Sequence, residues 1–213
     1  MRQLLYVFDP LCGWCYGFSP VVKKINQHYA AHFDISVLCG GLAIGDNALP
    51  VRKVAGYISG ALGQVERTTG VRFGDGFVNG ILRDENYIYN SEPPCIALTV
   101  VKELAPEHIV SFAHDVQTAF FYDGKNLNDA ETYIHLLEPY GIDSDVFLKK
   151  YFRDEYKNKT YIEFDYCRDI GVRGYPALVL NEDGEHRILV RGYQTYENIS
   201  ALLDNTINKK NNE

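Results

Sequence analysis

Cys12 and Cys15 stand three positions apart in DPLCGWCYGFSP, residues 9–20. Two such sulfurs can be a thiol–disulfide exchange pair, half of a zinc site, or inert core thiols. Set at i and i+3 on the first turn of a helix, they face the same way with Cα atoms about 5–6 Å apart, a span that a disulfide bridges. The positive end of the helix dipole and its unpaired N–H groups would then lie against Cys12. Both favour the thiolate, which is the attacking species. Cys12 is expected to attack a substrate disulfide, and Cys15, deeper in the helix, to resolve the mixed disulfide.

The zinc reading has a formal match, because Cys12, Cys15, His28 and His32 have the C-x2-C-x12-H-x3-H spacing of a C2H2 finger. A finger needs its cysteines on a hairpin, whereas the residues here continue directly into a helical pattern. On one helix Cys15 and His28 would lie about 20 Å apart, too far to share an ion. Ser19 also stands where a finger packs an aromatic side chain. No metal site is expected, and His28 and His32 are assigned to solvent near a helix C-terminus, where positive charge is favourable. The strand–turn–helix setting of the pair disfavours the inert reading.

Other residues are less determined. Asp9 can accept or relay the proton of Cys15, or it can cap the helix start. Cys39, Cys95 and Cys167 are isolated in apolar sequence and read as small core residues. Cys39, beside a glycine turn, is the one to examine for partner chemistry. Five cysteines at irregular spacing do not form a disulfide framework.

The elements that must position these residues follow from the apolar pattern. LLYVF (4–8) is a continuous run closed by Asp9-Pro10, as expected of a strand buried on both faces. Residues 13–32 read as a helix with Phe18, Val21, Val22, Ile25 and Tyr29 on one side, kinked or divided at Pro20. FDISVLCGG (33–41) is a second strand ending in a glycine turn. Residues from about 47 to 165 are mostly helical: a helix at 93–104 capped by Ser91, one at 107–122, one opened by a capping box of Asn128 and Glu131, and one capped by Asp143. ALVL (177–180) and RILV (187–190) flank the turn NEDGE as a hairpin, and a last helix covers about 196–208 before a polar tail. Pro176, directly before a strand, is either a plain strand-start proline or a cis bond.

Bulk composition bounds the function. Hydrophobic residues make up 46% and charged residues 23% of the 213 positions, enough for a real core in one elaborated domain. The net charge of −7 and the absence of a basic run exclude nucleic acid as an expected partner. No apolar run is long enough to span a bilayer, and the N-terminus lacks the pattern of a signal peptide. No membrane association and a cytoplasmic location are therefore expected.

DPLCGWCYGF, CGGLAIGDN, SEPPCIALTVVKEL, VRGYPALVL and RGYQTYENI together resemble DsbA-like thiol–disulfide oxidoreductases of the thioredoxin superfamily. The resemblance spans nearly the whole chain and points to the cytoplasmic predicted protein-disulfide-isomerase branch, related to FrnE-like proteins. It implies an α/β, thioredoxin-like fold with a mostly helical insertion after the second strand. Residues 1–46 and 166–213 would form the thioredoxin-like domain and 47–165 the inserted helical domain. It implies that Cys12 is the exposed nucleophile and Cys15 the resolving residue. A cis Tyr175–Pro176 bond would lie beside them, with the backbone of Tyr175 pairing with an extended peptide. Gly13 and Trp14 would contact substrate and tune the potential. The family's strongest oxidants carry a histidine where Trp14 stands, so a couple nearer thioredoxin's about −270 mV than DsbA's about −120 mV is expected. No bound cofactor is implied. The partners would be protein or peptide disulfides and thiols, with glutathione or a dithiol as electron donor.

Two other functions compete. The same fold carries glutathione-dependent isomerases and transferases of small molecules, which typically have serine where Cys12 stands and lack the second cysteine. A chaperone-like scaffold would use the helical insertion and leave the cysteine pair incidental.

Overall fold

The computed structural model describes residues 2–210; Met1 and residues 211–213, the end of the polar tail, lie outside the described residues. The chain begins β1 (Gln3–Phe8), α1 (Gly13–Tyr29), β2 (Asp34–Cys39). A middle segment follows with β3 (Leu49–Pro50), α2 (Ala55–Thr69), β4 (Ile88–Tyr89), α3 (Glu92–Leu104), α4 (Ile109–Phe121), α5 (Ala130–Leu137), α6 (Ser144–Tyr151) and α7 (Asp154–Asp169). The chain then returns to strands with β5 (Ala177–Glu182) and β6 (Glu185–Arg191) and closes with α8 (Tyr196–Lys210).

Four strands form the main sheet in the order β2-β1-β5-β6. β1 runs parallel to β2, with Phe8 opposite Cys39, and antiparallel to β5, with Val7 opposite Ala177. The β5–β6 turn has positive φ at Asp183 and Gly184, as a two-residue Asp-Gly hairpin requires. Side chains of β1 alternate across the sheet. Leu4, Tyr6 and Phe8 enter the main core, while Leu5 and Val7 join Cys167, Val172 and Val179 on the other face. Both faces are covered, which is why LLYVF is continuously apolar rather than alternating.

α1 is one helix from Gly13 to Tyr29 and is not divided at Pro20. Proline cannot donate to the Tyr16 carbonyl one turn back, but the Ser19 hydroxyl donates to it instead, at 2.9 Å. Two other local expectations are corrected. Ser91 occupies the N-cap position of α3 without capping it, because its hydroxyl is engaged elsewhere. α5 is capped by Asp129, which accepts from the Glu131 N–H at 3.1 Å, while Asn128 donates to the Ile88 carbonyl at 2.9 Å. Asp143 caps α6 as expected, accepting from Val146 N–H at 2.9 Å.

One core cluster joins residues of β1, α1 and β5 to residues of α3, α4 and α7. α7 crosses the 165/166 boundary and contributes to both faces, through Phe164 to the main core and Cys167 to the far one. Among the described residues, no helix is long and apolar enough to cross a membrane.

Candidate active site

β1 gives way to α1 through Asp9-Pro10-Leu11, and this short turn is organised by one carboxylate. Asp9 has no exposed surface. Its Oδ1 accepts from Leu11 N–H and from the Ser91 hydroxyl, both at 2.9 Å, and its Oδ2 accepts from Leu42 N–H at 2.7 Å. The Ser91 hydroxyl oxygen in turn accepts from Ala43 N–H at 3.1 Å. Asp9 thereby ties the turn before α1, the loop after β2 and the start of α3 to one point. Burial pushes its carboxyl up, outweighing the hydrogen bonds from Leu42, Leu11 and Ser91 that pull it down.

Asp9 does not cap the helix. The N-cap of α1 is Cys12 itself, with φ −84° and ψ 113°, and its Sγ accepts from Cys15 N–H at 3.3 Å. The sulfur sits where Ser or Asp oxygen sits in an ordinary cap, facing the unpaired N–H groups of the first turn. Asp9 contributes through its backbone, whose carbonyl accepts from Cys12 N–H at 3.1 Å and from the Gln117 amide at 3.4 Å.

The two sulfurs are unequal. Cys12 is half-buried, whereas Cys15 is fully enclosed. Burial, then the hydrogen bond and charge of Cys12, push the Cys15 thiol well above the usual thiol range. The Cys12 contribution disappears once that sulfur is bonded to a substrate, so Cys15 then becomes easier to ionise. A direct consequence is selective alkylation. Iodoacetamide is expected to add once to the reduced native protein, at Cys12, and at all five cysteines after denaturation. A second native adduct forming as fast as the first would contradict this asymmetry.

The distant Gly-Tyr-Pro segment lies against the pair. The Tyr175–Pro176 peptide is cis, and the Tyr175 carbonyl faces Cys12 Sγ at 3.9 Å. Pro176 is buried and Tyr175 half-buried. The hydroxyl end of the Tyr175 side chain lies against Gly40, where an added Cβ would come within 1.9–2.3 Å of its Cζ, Cε1 and hydroxyl oxygen, and the hydroxyl donates to the Gly40 carbonyl at 2.6 Å. Gly40→Ala is therefore expected to displace Tyr175. Overpacking of this kind costs about 1–3 kcal/mol, and peptide-disulfide turnover should fall about tenfold or more. Urea titration and steady-state kinetics check both effects.

Gly13 and Trp14 form the half-exposed rim beside Cys12. Phe73 lies over Gly13, 3.6 Å from where a Cβ would stand. Beneath them Tyr16 stacks on Phe121 with ring centroids 5.1 Å apart and tilts against Phe73 at 5.6 Å. The other three cysteines are core residues, but they are gathered rather than isolated. Cys167 donates to the Cys39 carbonyl at 3.4 Å, and Cys95 is buried in the main core with Cys39. Burial raises all three thiols. His28 lies exposed in the last turn of the unbroken α1, about 20 Å along the axis from Cys15, with its Nδ1 2.6 Å from the Tyr196 hydroxyl. Among the described residues, no group of three or more His, Cys, Asp or Glu is placed to hold a metal ion.

Asp9, Cys12, Gly13, Trp14, Cys15, Tyr175 and Pro176 thus meet at one place. Sequence reasoning missed the residues that support them. Ser91 was read only as a cap, and Gly40 only as part of a turn. Phe73 and Gln117 gave no signal, since each is one apolar or polar residue in a helical region.

A sheet of this topology, with a Cys-x-x-Cys opening the helix after β1 and a cis-proline facing it, defines the thioredoxin superfamily in its DsbA-like form. A family model described as Thioredoxin matches residues 5–201, and the chain belongs to that family. It is similar to a Nitrosomonas europaea protein described as a candidate protein disulfide isomerase, at 29% identity over 98% of each chain, with a TM-score of 0.87. It shares its fold with the cytosolic disulfide reductase DsbM of Pseudomonas aeruginosa, at 24% identity over 88% of this chain and 89% of that one, with a TM-score of 0.76. Among curated relatives, the ClpXP adapter protein SpxH of Halalkalibacterium halodurans is 22% identical over 209 residues, covering 97% of this chain and 68% of the relative.

Proposed function

We propose that the chain is a cytoplasmic thiol–disulfide oxidoreductase that reduces or isomerises protein and peptide disulfides. The observation that carries this reading is the inequality of the two sulfurs, one reachable at a helix N-cap and one enclosed behind it. The Cys12 thiolate attacks a substrate disulfide, forming a Cys12–substrate bond and expelling the other substrate sulfur as a thiolate. Cys15 then loses its proton and attacks Cys12 Sγ, releasing the second substrate thiol and leaving a Cys12–Cys15 disulfide. Asp9 is the acceptor we assign to the Cys15 proton, since its raised carboxyl can hold one in a buried setting. Two electrons from glutathione or another dithiol or thiol donor restore the reduced pair. DsbM has been solved with glutathione, and the donor role is carried over to this chain on that likeness.

Extended peptide is assigned to the Tyr175–Pro176 loop, by backbone pairing, with Gly13 and Trp14 as the rim it crosses. With no cation between the cysteines, the couple is placed near thioredoxin's about −270 mV. Residues 47–165 are read as the inserted helical domain, sharing its core with the sheet. Retention of both sulfurs separates this function from a small-molecule isomerase, which needs no resolving thiol. The test is multiple turnover of a peptide disulfide with glutathione as donor. Turnover lost in Cys12→Ser supports the proposal. Failure of the wild-type protein to reduce any peptide disulfide would refute it.

A further inference from the structure

β2 is an edge strand, so every second N–H along it faces away from the sheet. At its end the Gly40 N–H turns inward to the Phe8 carbonyl at 2.8 Å, which leaves the Cys39 N–H pointing outward. Glu163 of α7 takes that N–H, accepting through Oε1 at 2.6 Å, while its Oε2 is ion-paired with Lys102 of α3. The Glu163 side chain is only 13% exposed. Its neighbours act on the same stretch of backbone. Phe164 packs on Gly41, whose positive φ of 67° disfavours any side chain and where an added Cβ would stand only 3.0 Å from the ring, and Cys167 donates to the Cys39 carbonyl. One face of α7 therefore holds Cys39 and Gly41, on either side of Gly40. Gly40 is the seat of the Tyr175 ring and the acceptor of its hydroxyl, and the Tyr175 carbonyl faces Cys12.

We propose that Glu163 is a positioning residue for peptide substrates, holding the segment on which Tyr175 rests so that the loop before Pro176 keeps the backbone geometry an extended chain pairs with. The inference rests on the peptide-docking role given to that loop above. Glu163 touches neither sulfur, so its effect falls on recognition of a peptide backbone and not on exchange chemistry. A disulfide with no peptide backbone does not use the loop and does not register the change.

The test compares a peptide disulfide with hydroxyethyl disulfide. Glu163→Ala removes both the acceptor and the ion pair. It is expected to raise KM for the peptide about 3–10-fold. The peptide kcat, the rate with hydroxyethyl disulfide and the Cys12–Cys15 reduction potential should all stay within about twofold of wild type. Glu163→Gln keeps an oxygen for the Cys39 N–H and is expected to restore most of the peptide KM. Lys102→Gln, which removes the ion pair that holds Glu163, reports on the same path should Glu163→Ala fail to fold, and it is expected to raise the peptide KM in the same direction with the hydroxyethyl disulfide rate unchanged. An unchanged peptide KM, or equal losses with both disulfides, would overturn the inference. Wild-type protein inactive on both disulfides would instead overturn the oxidoreductase reading on which it rests.

Discussion

Cys15→Ser protein mixed with a peptide disulfide is expected to accumulate a covalent adduct at Cys12, seen as one added peptide mass that a dithiol removes. Cys12→Ser is expected to form no adduct and to lose turnover by at least about a thousandfold, since it deletes the nucleophile itself. The two outcomes differ because the two sulfurs do. Cys12 is half-buried at the N-cap, facing the Tyr175 carbonyl, whereas Cys15 has no exposed surface and no route to a substrate except through Cys12. The Cys15 N–H donates to Cys12 Sγ, so the residue that resolves the intermediate is already adjacent to the sulfur it must attack. Cys15→Ala should trap the same adduct, which separates the missing thiol from any effect of a buried hydroxyl. Adduct formation at Cys15 in Cys12→Ser protein would reverse the assignment.

The largest stability effect is expected at Asp9. Asp9→Ala leaves Leu11 N–H, Leu42 N–H and the Ser91 hydroxyl without their acceptor in a buried site. Each unsatisfied donor costs about 1–3 kcal/mol, so a total of about 3–5 kcal/mol is expected after partial relaxation. Total stabilities are only about 5–15 kcal/mol, so this variant should unfold at much lower urea. Asp9→Asn keeps one acceptor oxygen and turns an amide toward Leu42 N–H, for an expected loss of about 1–3 kcal/mol.

pH separates the carboxyl from its geometry. Asp9 is raised in the folded protein above its unfolded value, so its contribution is fully present below about pH 3.9. That contribution is lost as pH rises through the folded value. The deficit of Asp9→Asn relative to wild type should therefore be larger near pH 4 than near pH 8. The opposite trend would mean that the carboxyl is depressed rather than raised.

Much of this was legible in the sequence because it depended on near neighbours. Cys12 and Cys15 face one way because i and i+3 do so on any helix. LLYVF is buried on both faces because every side chain in it has an apolar body, and the one hydroxyl, that of Tyr6, donates to the Cys15 carbonyl. What escaped was set by contacts between distant segments. Pro20 does not divide α1 because Ser19 supplies the missing donor, a substitution invisible to a proline rule. For Asp9 the sequence offers a proton relay or a cap of α1, and neither reading includes the Leu42 and Ser91 groups, remote in the chain, that its carboxylate serves. α2 was not singled out, because Gly56, Gly60 and Gly63 dilute its pattern and only Val65 is buried. α7 was blurred by polar Thr160 within its buried stripe of Tyr156, Phe164 and Cys167. β3 and β4 pair over two residues each, too short to leave a period.

The most direct test of the central claim is the Cys12–Cys15 reduction potential, measured by equilibrating the protein in graded glutathione buffers and trapping the thiols. A single reversible two-electron transition near −270 mV is predicted, with the same transition absent from Cys12→Ser. No transition between dithiol and disulfide, or one that persists without Cys12, would contradict the account.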